Sequence, residues 1–534
     1  MHVDLSLNYV EYIRIYLDKP LISNYNSKKR QGEIPARKEQ PMKHIDLQIQ
    51  ADQPVSRIAP EIFGHFSEHL GTCMYGGIYV GENSAIPNAD GVRIDVIEAF
   101  RQIRMPVLRW PGGCFADDYH WRDGIGPKEQ RRKRVSRYWG HTTETNAFGT
   151  HEFFSLCEKI GCEPYLAGNL GSGTVQELSD WIEYLTFEGD SDLSELRRKN
   201  GREQPWHLKY LGIGNENWGC GGNMRPEYYA DEYHRYQSFC ENYGENRLYK
   251  IACGANGDDY RWTETMMANV KSSMMHGLSL HYYTVPSGIW EKKGDALDFT
   301  DAEYYATVSR ALYMDTLLKK HIEIMDRHDP AGEIGLVVDE WGNWYDPAEG
   351  ENPHFLHQQN TMRDAVTAAI NLNLFLQYSK RITMANLAQA VNVLQAILLT
   401  EGAGLIKTPT YHVFDLFKRH QGGMLLPTAC TALTAGSGTK VPMLSHAASL
   451  RDGVLTLTAA NCSLEDAAEM TVSLAGFTAE KAEASVLYGD SCRACNSFDA
   501  PDTVRLHPLN VSSAGSTLRL TVPPCAVAAV TVFS

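Results

Sequence analysis

The chain has 534 residues, 43% of them hydrophobic and 10% aromatic, and a formal net charge of −15. That length excludes a single small domain and suits a barrel of about 250 residues or more with a smaller companion. The acidic balance disfavours nucleic acid or an anionic membrane surface as main partner. No apolar run reaches the roughly 18 residues of a membrane span.

Residues 1–41 are polar, carry Lys28-Lys-Arg30 and Arg37-Lys-Glu39, and show no sustained periodicity. They read as a flexible extension or a mis-assigned start, with folding beginning near Met42. The opening Met1-His-Val-Asp lacks the basic and apolar regions of a secretory signal. Met42–Gln50 then alternates like a strand.

Over residues 60–405 short apolar runs alternate with helical patterns, the signature of a parallel sheet. Eight strands are expected near Ile62–Ser67, Pro106–Trp110, Glu163–Asn169, Tyr210–Glu216, Tyr249–Asn256, Leu278–Tyr283, Ile334–Glu340 and Ile382–Gln389. Helices fit between them, among them His151–Ile160, Thr174–Phe187, Pro226–Tyr243, Glu303–Asp326 and Gln359–Tyr378. Eight strands close a (β/α)8 TIM barrel. An open doubly wound sheet is the alternative, but no GxGxxG follows the first strand. Residues 42–59 and 406–534 carry period-two runs such as Val454-Leu-Thr-Leu-Thr and Leu518-Arg-Leu-Thr-Val, which imply a C-terminal antiparallel β-sandwich.

The twelve cysteines form no regular framework, and Cys157, Cys162, Cys240 and Cys253 sit in apolar or helical runs, as buried free thiols do. A reducing, cytoplasmic compartment is expected. Cys492-Arg-Ala-Cys495 is a lone CxxC with no second pair nearby and reads as coincidence. The basic run Lys128–Arg134 reads as a solvated loop.

The strand ends are polar throughout: Gly64-His-Phe-Ser-Glu68-His69, Arg109-Trp-Pro-Gly-Gly-Cys114, Asn169, Asn215-Glu216-Asn217, Asn256, His281-Tyr-Tyr283, Asp339-Glu340-Trp341 and Asn386-Leu-Ala-Gln389. Barrel active sites collect on that one face. Two strand-end glutamates, Glu216 and Glu340, are the pair that glycoside hydrolysis with retention needs, about 5–5.5 Å apart. Strands four and seven are expected to face each other across the mouth, and the nearness of the two charges to raise the pKa of one carboxyl, making it the acid. Asn215 suits the hydroxyl beside the anomeric carbon, and Tyr283 with His281 can hold a nucleophile ionised and aimed. Trp110, Trp218 and Trp341 suit the apolar face of a sugar as a set, although any one of them alone is more often core. His65 and His69 are four apart but on a strand end, with no third ligand; neither a metal nor a cofactor is required.

Gly-Asn-Glu-Asn-Trp-Gly-Cys-Gly-Gly (214–222), Val-Asp-Glu-Trp-Gly (338–342), Phe63-Gly-His-Phe-Ser-Glu-His-Leu-Gly71 and Pro409-Thr-Tyr-His-Val-Phe414 resemble the intracellular α-L-arabinofuranosidases of glycoside hydrolase family 51. So do Arg109–Cys114, Thr143–Gly149 and Ala388–Val393. The resemblance runs from about Met42 to the C-terminus. It implies a retaining exo-enzyme acting on arabinose-containing oligosaccharides, a jelly-roll-like sandwich and a homo-oligomer, commonly a hexamer. By motif it makes Glu216 the acid/base and Glu340 the nucleophile, with Glu68, Cys114, Asn215, Tyr283 and Gln389 binding the sugar. Related barrels include β-xylosidases and endo-glucanases, and a non-catalytic carbohydrate-binding barrel is the alternative from another class. The presence of both glutamates argues against the latter.

Overall fold

The computed structural model describes residues 41–534 apart from Glu349, so the reading of residues 1–41 lies almost wholly outside the described residues. Strand β1 (Met42–Gln50) turns Ile45, Leu47 and Ile49 inward on alternate positions, as its period-two pattern dictates. Eight parallel strands follow: β2 (Gly64–Phe66), β3 (Val107–Trp110), β4 (Glu163–Gly168), β5 (Tyr210–Ile213), β6 (Tyr249–Asn256), β7 (Gly277–Thr284), β8 (Gly335–Asn343) and β9 (Ile382–Ala388). They pair in chain order, and β9 against β2 closes the barrel.

Helix ends follow local chemistry. Thr300 caps the helix Asp301–His328 in a reciprocal box with Glu303, and Gly161 ends Thr150–Ile160 in the left-handed conformation. The helix expected over Pro226–Tyr243 stops at Gln237, where the Ser238 hydroxyl hydrogen-bonds the His234 carbonyl at 2.7 Å and competes with a further turn.

After the barrel come β10 (Leu444–Arg451), β11 (Val454–Asn461), β12 (Ala467–Ala475), β13 (Lys481–Tyr488), β14 (Thr517–Val522) and β15 (Ala526–Phe533). One sheet runs Thr428–Cys430, β1, β12, β14, Val511–Ala514; the other runs Met424–Leu426, β10, β11, β15, β13, Arg505–Pro508. Pairing is antiparallel except between β1 and β12, which run parallel along all nine residues from Met42↔Ala467 to Gln50↔Ala475. A strand arriving from the other end of the sequence is free of the hairpin geometry that makes its neighbours antiparallel.

The helix Met362–Gln377 is buried on nearly every side, its polar Arg363, Asp364, Asn371 and Asn373 included. It packs on β8 and β9 on one flank and on β10, β11 and β15 on the other. Leu372 at its centre is fully buried, so truncation to alanine costs about 2–5 kcal/mol.

Candidate active site

The strand expected to reach Glu216 ends at Ile213, because Gly214 (φ 92°) and Glu216 (φ 41°) leave the extended region. A glutamate in left-handed backbone is strained, the kind of outlier found where a side chain must point in one direction. Glu340 lies within β8. Register shifts on both sides of β8 place it beside His281 of β7 (His281↔Glu340). Two strands separate β5 from β8 in the ring, so the two face each other obliquely across the mouth. The loop after β5 bridges the gap. One carboxylate oxygen of each of Glu216 and Glu340, with a ring nitrogen of His281, lie within 4.8 Å of one another.

The two carboxyls have different partners. Glu340 Oε1 accepts from Arg109 Nη1 at 2.8 Å, and Oε2 accepts from the Tyr283 hydroxyl at 2.7 Å. Glu216 Oε1 meets His281 Nδ1 at 2.9 Å, while Oε2 faces the sulfurs of a Cys114–Cys220 disulfide at 3.9 and 3.6 Å. Disulfide sulfurs carry no proton, so those are contacts only. Burial raises the Glu216 carboxyl above its ordinary range, with the His281 hydrogen bond opposing and the Glu340 charge adding to the rise. Burial pushes Glu340 the same way, but the charges of His281 and Arg109 and the Tyr283 hydrogen bond hold it below the usual value. Desolvation raises Glu216 more than the Glu340 charge does, but it acts on both carboxyls; the donors around Glu340 set the two apart.

Arg109 also donates to Asn215 Oδ1 at 2.7 Å and lies 3.7 Å from Asp339, which Tyr165 and Asn386 hold at 2.8 and 3.0 Å. Deeper in the pocket, Glu68 Oε1 accepts from the backbone of Gly113 and Phe115 and from Trp139 Nε1, and Oε2 accepts from Gln389 Nε2 at 3.0 Å. Burial and the nearby Glu340 charge push Glu68 up to about 7. Gly113 is a close approach: a Cβ there would stand 2.7 Å from Glu340 Oε1. Glu68, Cys114, Asn215, Glu216, His281, Tyr283, Glu340 and Gln389 thus converge on one mouth, which opens into a cleft of about 670 Å3.

Over most of its length the chain is similar to known proteins. A family model for the α-L-arabinofuranosidase 1 domain matches residues 99–301, and one for the α-L-arabinofuranosidase C-terminal domain matches residues 339–526. An intracellular exo-α-L-arabinofuranosidase of Bacteroides ovatus is 50% identical over 469 residues, 87% of this chain and 91% of the relative. The crystal structure of the GH51 arabinofuranosidase from Xanthomonas axonopodis pv. citri superposes with a TM-score of 0.90 at 43% identity, covering 92% of this chain and 99% of that one. An arabinose complex of the Thermotoga maritima α-L-arabinofuranosidase gives 0.81 at 32% identity, covering 91% and 99%. The chain belongs to the α-L-arabinofuranosidases of glycoside hydrolase family 51.

In this family 51 chain the aromatic wall differs from the sequence reading. Trp110 stacks on Phe153 and Trp341 packs on Phe375, both fully buried in the core. Of the three expected tryptophans only Trp218 lines the cleft, joined there by Trp290 and Trp344. The loops bearing those two are tied together by Gly294 and Lys293 backbone N–H bonds to Asp346. His65 is buried against Phe414, and burial lowers its pKa to about 3. His69 bonds Glu144 and Trp110, so the two histidines share no ligand.

The Cys114–Cys220 bridge departs from the reading of the cysteines as unlinked thiols; a separation of 106 residues leaves no local signal for it. Cys157, Cys162, Cys240, Cys253, Cys492 and Cys495 are free. Sequence reasoning also gave no role to Arg109, although an arginine just before a Pro-Gly-Gly strand exit is a chargeable group on the functional face.

Proposed function

We propose that this glycosidase removes terminal α-L-arabinofuranosyl groups by double displacement, with Glu340 as nucleophile and Glu216 as acid and then base. The observation that carries the reading is one close pair of carboxyls in opposed environments. Glu340 is held ionised by Arg109 and Tyr283, and Glu216 is pushed toward its protonated form. The attacking oxygen forms an ester with the anomeric carbon while Glu216 gives its proton to the departing oxygen. Ester formation removes the Glu340 charge that helps to raise Glu216, so its pKa falls and it takes a proton from water. Asn215, oriented by Arg109 through its Oδ1, has its Nδ2 3.8 Å from Cys220 Sγ, with a second N–H to give a sugar hydroxyl. Glu68 and Gln389 close the inner end, as an exo-acting pocket requires.

Arabinan- and arabinoxylan-derived oligosaccharides are the substrates that this reading favours. The relative named intracellular and the ten unlinked cysteines support a cytoplasmic setting. The family resemblance supports a homo-oligomer, commonly a hexamer, which sedimentation velocity reads. Proton NMR of the first sugar released tests the chemistry: the α-furanose appears first under this mechanism, and initial β-furanose refutes double displacement.

A further inference from the structure

Of the basic run that composition alone assigns to solvent, Arg131 is buried on Glu152, whereas Arg132–Arg134 lead into a hairpin on the rim of the sugar pocket. A hairpin joins Arg134–Val135 to Thr143–Glu144. Its far strand is anchored by Glu144, which is buried and bonded by His69 and Tyr75. Its turn reaches the active site: the Tyr138 hydroxyl donates to the Cys220 carbonyl at 2.7 Å, and Trp139 Nε1 donates to Glu68 at 3.1 Å. The outer side of the same hairpin forms an open groove of about 440 Å3 with Asp118, lined by Arg132, Lys133, Arg134, Arg137 and His141 around the exposed Val135.

The charges in this groove are only partly answered. Arg134 pairs with Asp123, and Arg137 lies 3.7 Å from Asp118 with its own side chain 65% exposed. Arg132 and Lys133 are exposed, and their side chains have no ion pair among the described residues. In a chain of net charge −15, a preformed cationic groove beside the mouth is a local reversal of sign. Self-repulsion among these cations gains nothing for folding, and neutral sugars call on no such charge. Forked guanidinium groups match carboxylates in a planar, paired geometry.

We propose that this groove binds the carboxylate of a uronic acid carried by the glycan next to the arabinosyl branch, so that the enzyme favours acidic over neutral aglycones. The inference rests on the arabinofuranosidase reading and adds a second point of recognition on the outgoing part of the substrate. Arg132 and Lys133 carry it, being unpaired and outside the reaction centre. The exposed Val135 offers the ring an apolar face in the same groove.

Paired arabinoxylo-oligosaccharides, with and without a glucuronic acid on the neighbouring backbone sugar, test it by the ratio of their kcat/KM values. Wild type is expected to favour the acidic partner by about fivefold at low ionic strength, the scale of two exposed charge contacts. Raising ionic strength from about 0.01 to about 1 M cuts the screening length from roughly 30 to 3 Å and should bring the ratio to one. The R132Q/K133Q variant should show a ratio near one at both, with turnover of 4-nitrophenyl α-L-arabinofuranoside unchanged. A wild-type ratio of one or less, or a ratio that survives the double substitution, overturns the proposal. So does a change of sedimentation coefficient in R132Q/K133Q, which assigns the groove to a contact between subunits. Turnover of the nitrophenyl substrate by wild type reads the glycosidase assignment independently of the ratio.

Discussion

Glu340 and Glu216 differ less in burial than in company. Both are in the same mouth and both lose solvent, which alone would raise either pKa. Glu340 gains an arginine and a phenol as donors; Glu216 gains one imidazole and a sulfur wall that offers no proton. The comparison teaches that two identical side chains take opposite roles because one is given cationic and hydroxyl donors and the other a single imidazole.

The largest break in that contrast is Glu340→Ala. Without a nucleophile, kcat on 4-nitrophenyl α-L-arabinofuranoside should fall by at least about three orders of magnitude; steady-state rates within about tenfold of wild type would refute the role. Glu216→Ala comes next and should be selective. Loss of general-acid help costs about 10²–10⁴ on an oligosaccharide, but much less on a nitrophenyl leaving group that departs with little protonation. Equal losses on the two substrates would erase the proposed division of labour.

Tyr283→Phe sharpens the comparison on one side only. Glu340 must be ionised and Glu216 protonated, so kcat/KM should follow a bell. Its acid limb lies below the ordinary glutamate value and its alkaline limb above it. Removing the Tyr283 hydroxyl takes away a bond to ionised Glu340, so the acid limb should move to higher pH while the alkaline limb stays. A loss of about tenfold at neutral pH accompanies it, the scale of a hydrogen bond to a charged group. A displaced alkaline limb with a fixed acid limb would contradict the assignment. The smallest effect is expected for Trp290→Ala at the cleft wall: KM for an oligosaccharide should rise about two- to fivefold at constant kcat, as lost stacking area implies.

Much of the frame was legible because it rests on patterns with few readings. Eight apolar runs with polar exits leave little choice but a closed ring, and the alternation of Ile45, Leu47 and Ile49 marks a one-faced strand. The Glu216 and Glu340 side chains could be placed on one face because each follows an apolar run of strand length. What escaped depends on distance in the chain. Nothing near Cys114 points to Cys220, since the loops that bring them together follow different strands. Trp110 and Trp341 could be read either as wall or as core, because a residue at a strand end points either into the mouth or out under the helices, and one position of register decides which. Trp290 and Trp344 sit on irregular loops whose course no periodicity encodes. Arg109 was overlooked because its role is to another side chain, and a sequence displays residues without their partners.

The parallel seam between β1 and β12 ties the first described strand to the last quarter of the chain. A protein engineer who cut the catalytic ring free at its apparent borders would open a five-stranded sheet at its second strand, exposing Ile45, Leu47 and Ile49 or the edge they cover. Grafting this enzyme onto another scaffold therefore means carrying both ends together, and a new fusion partner must respect a rim where entry and exit are already interlaced.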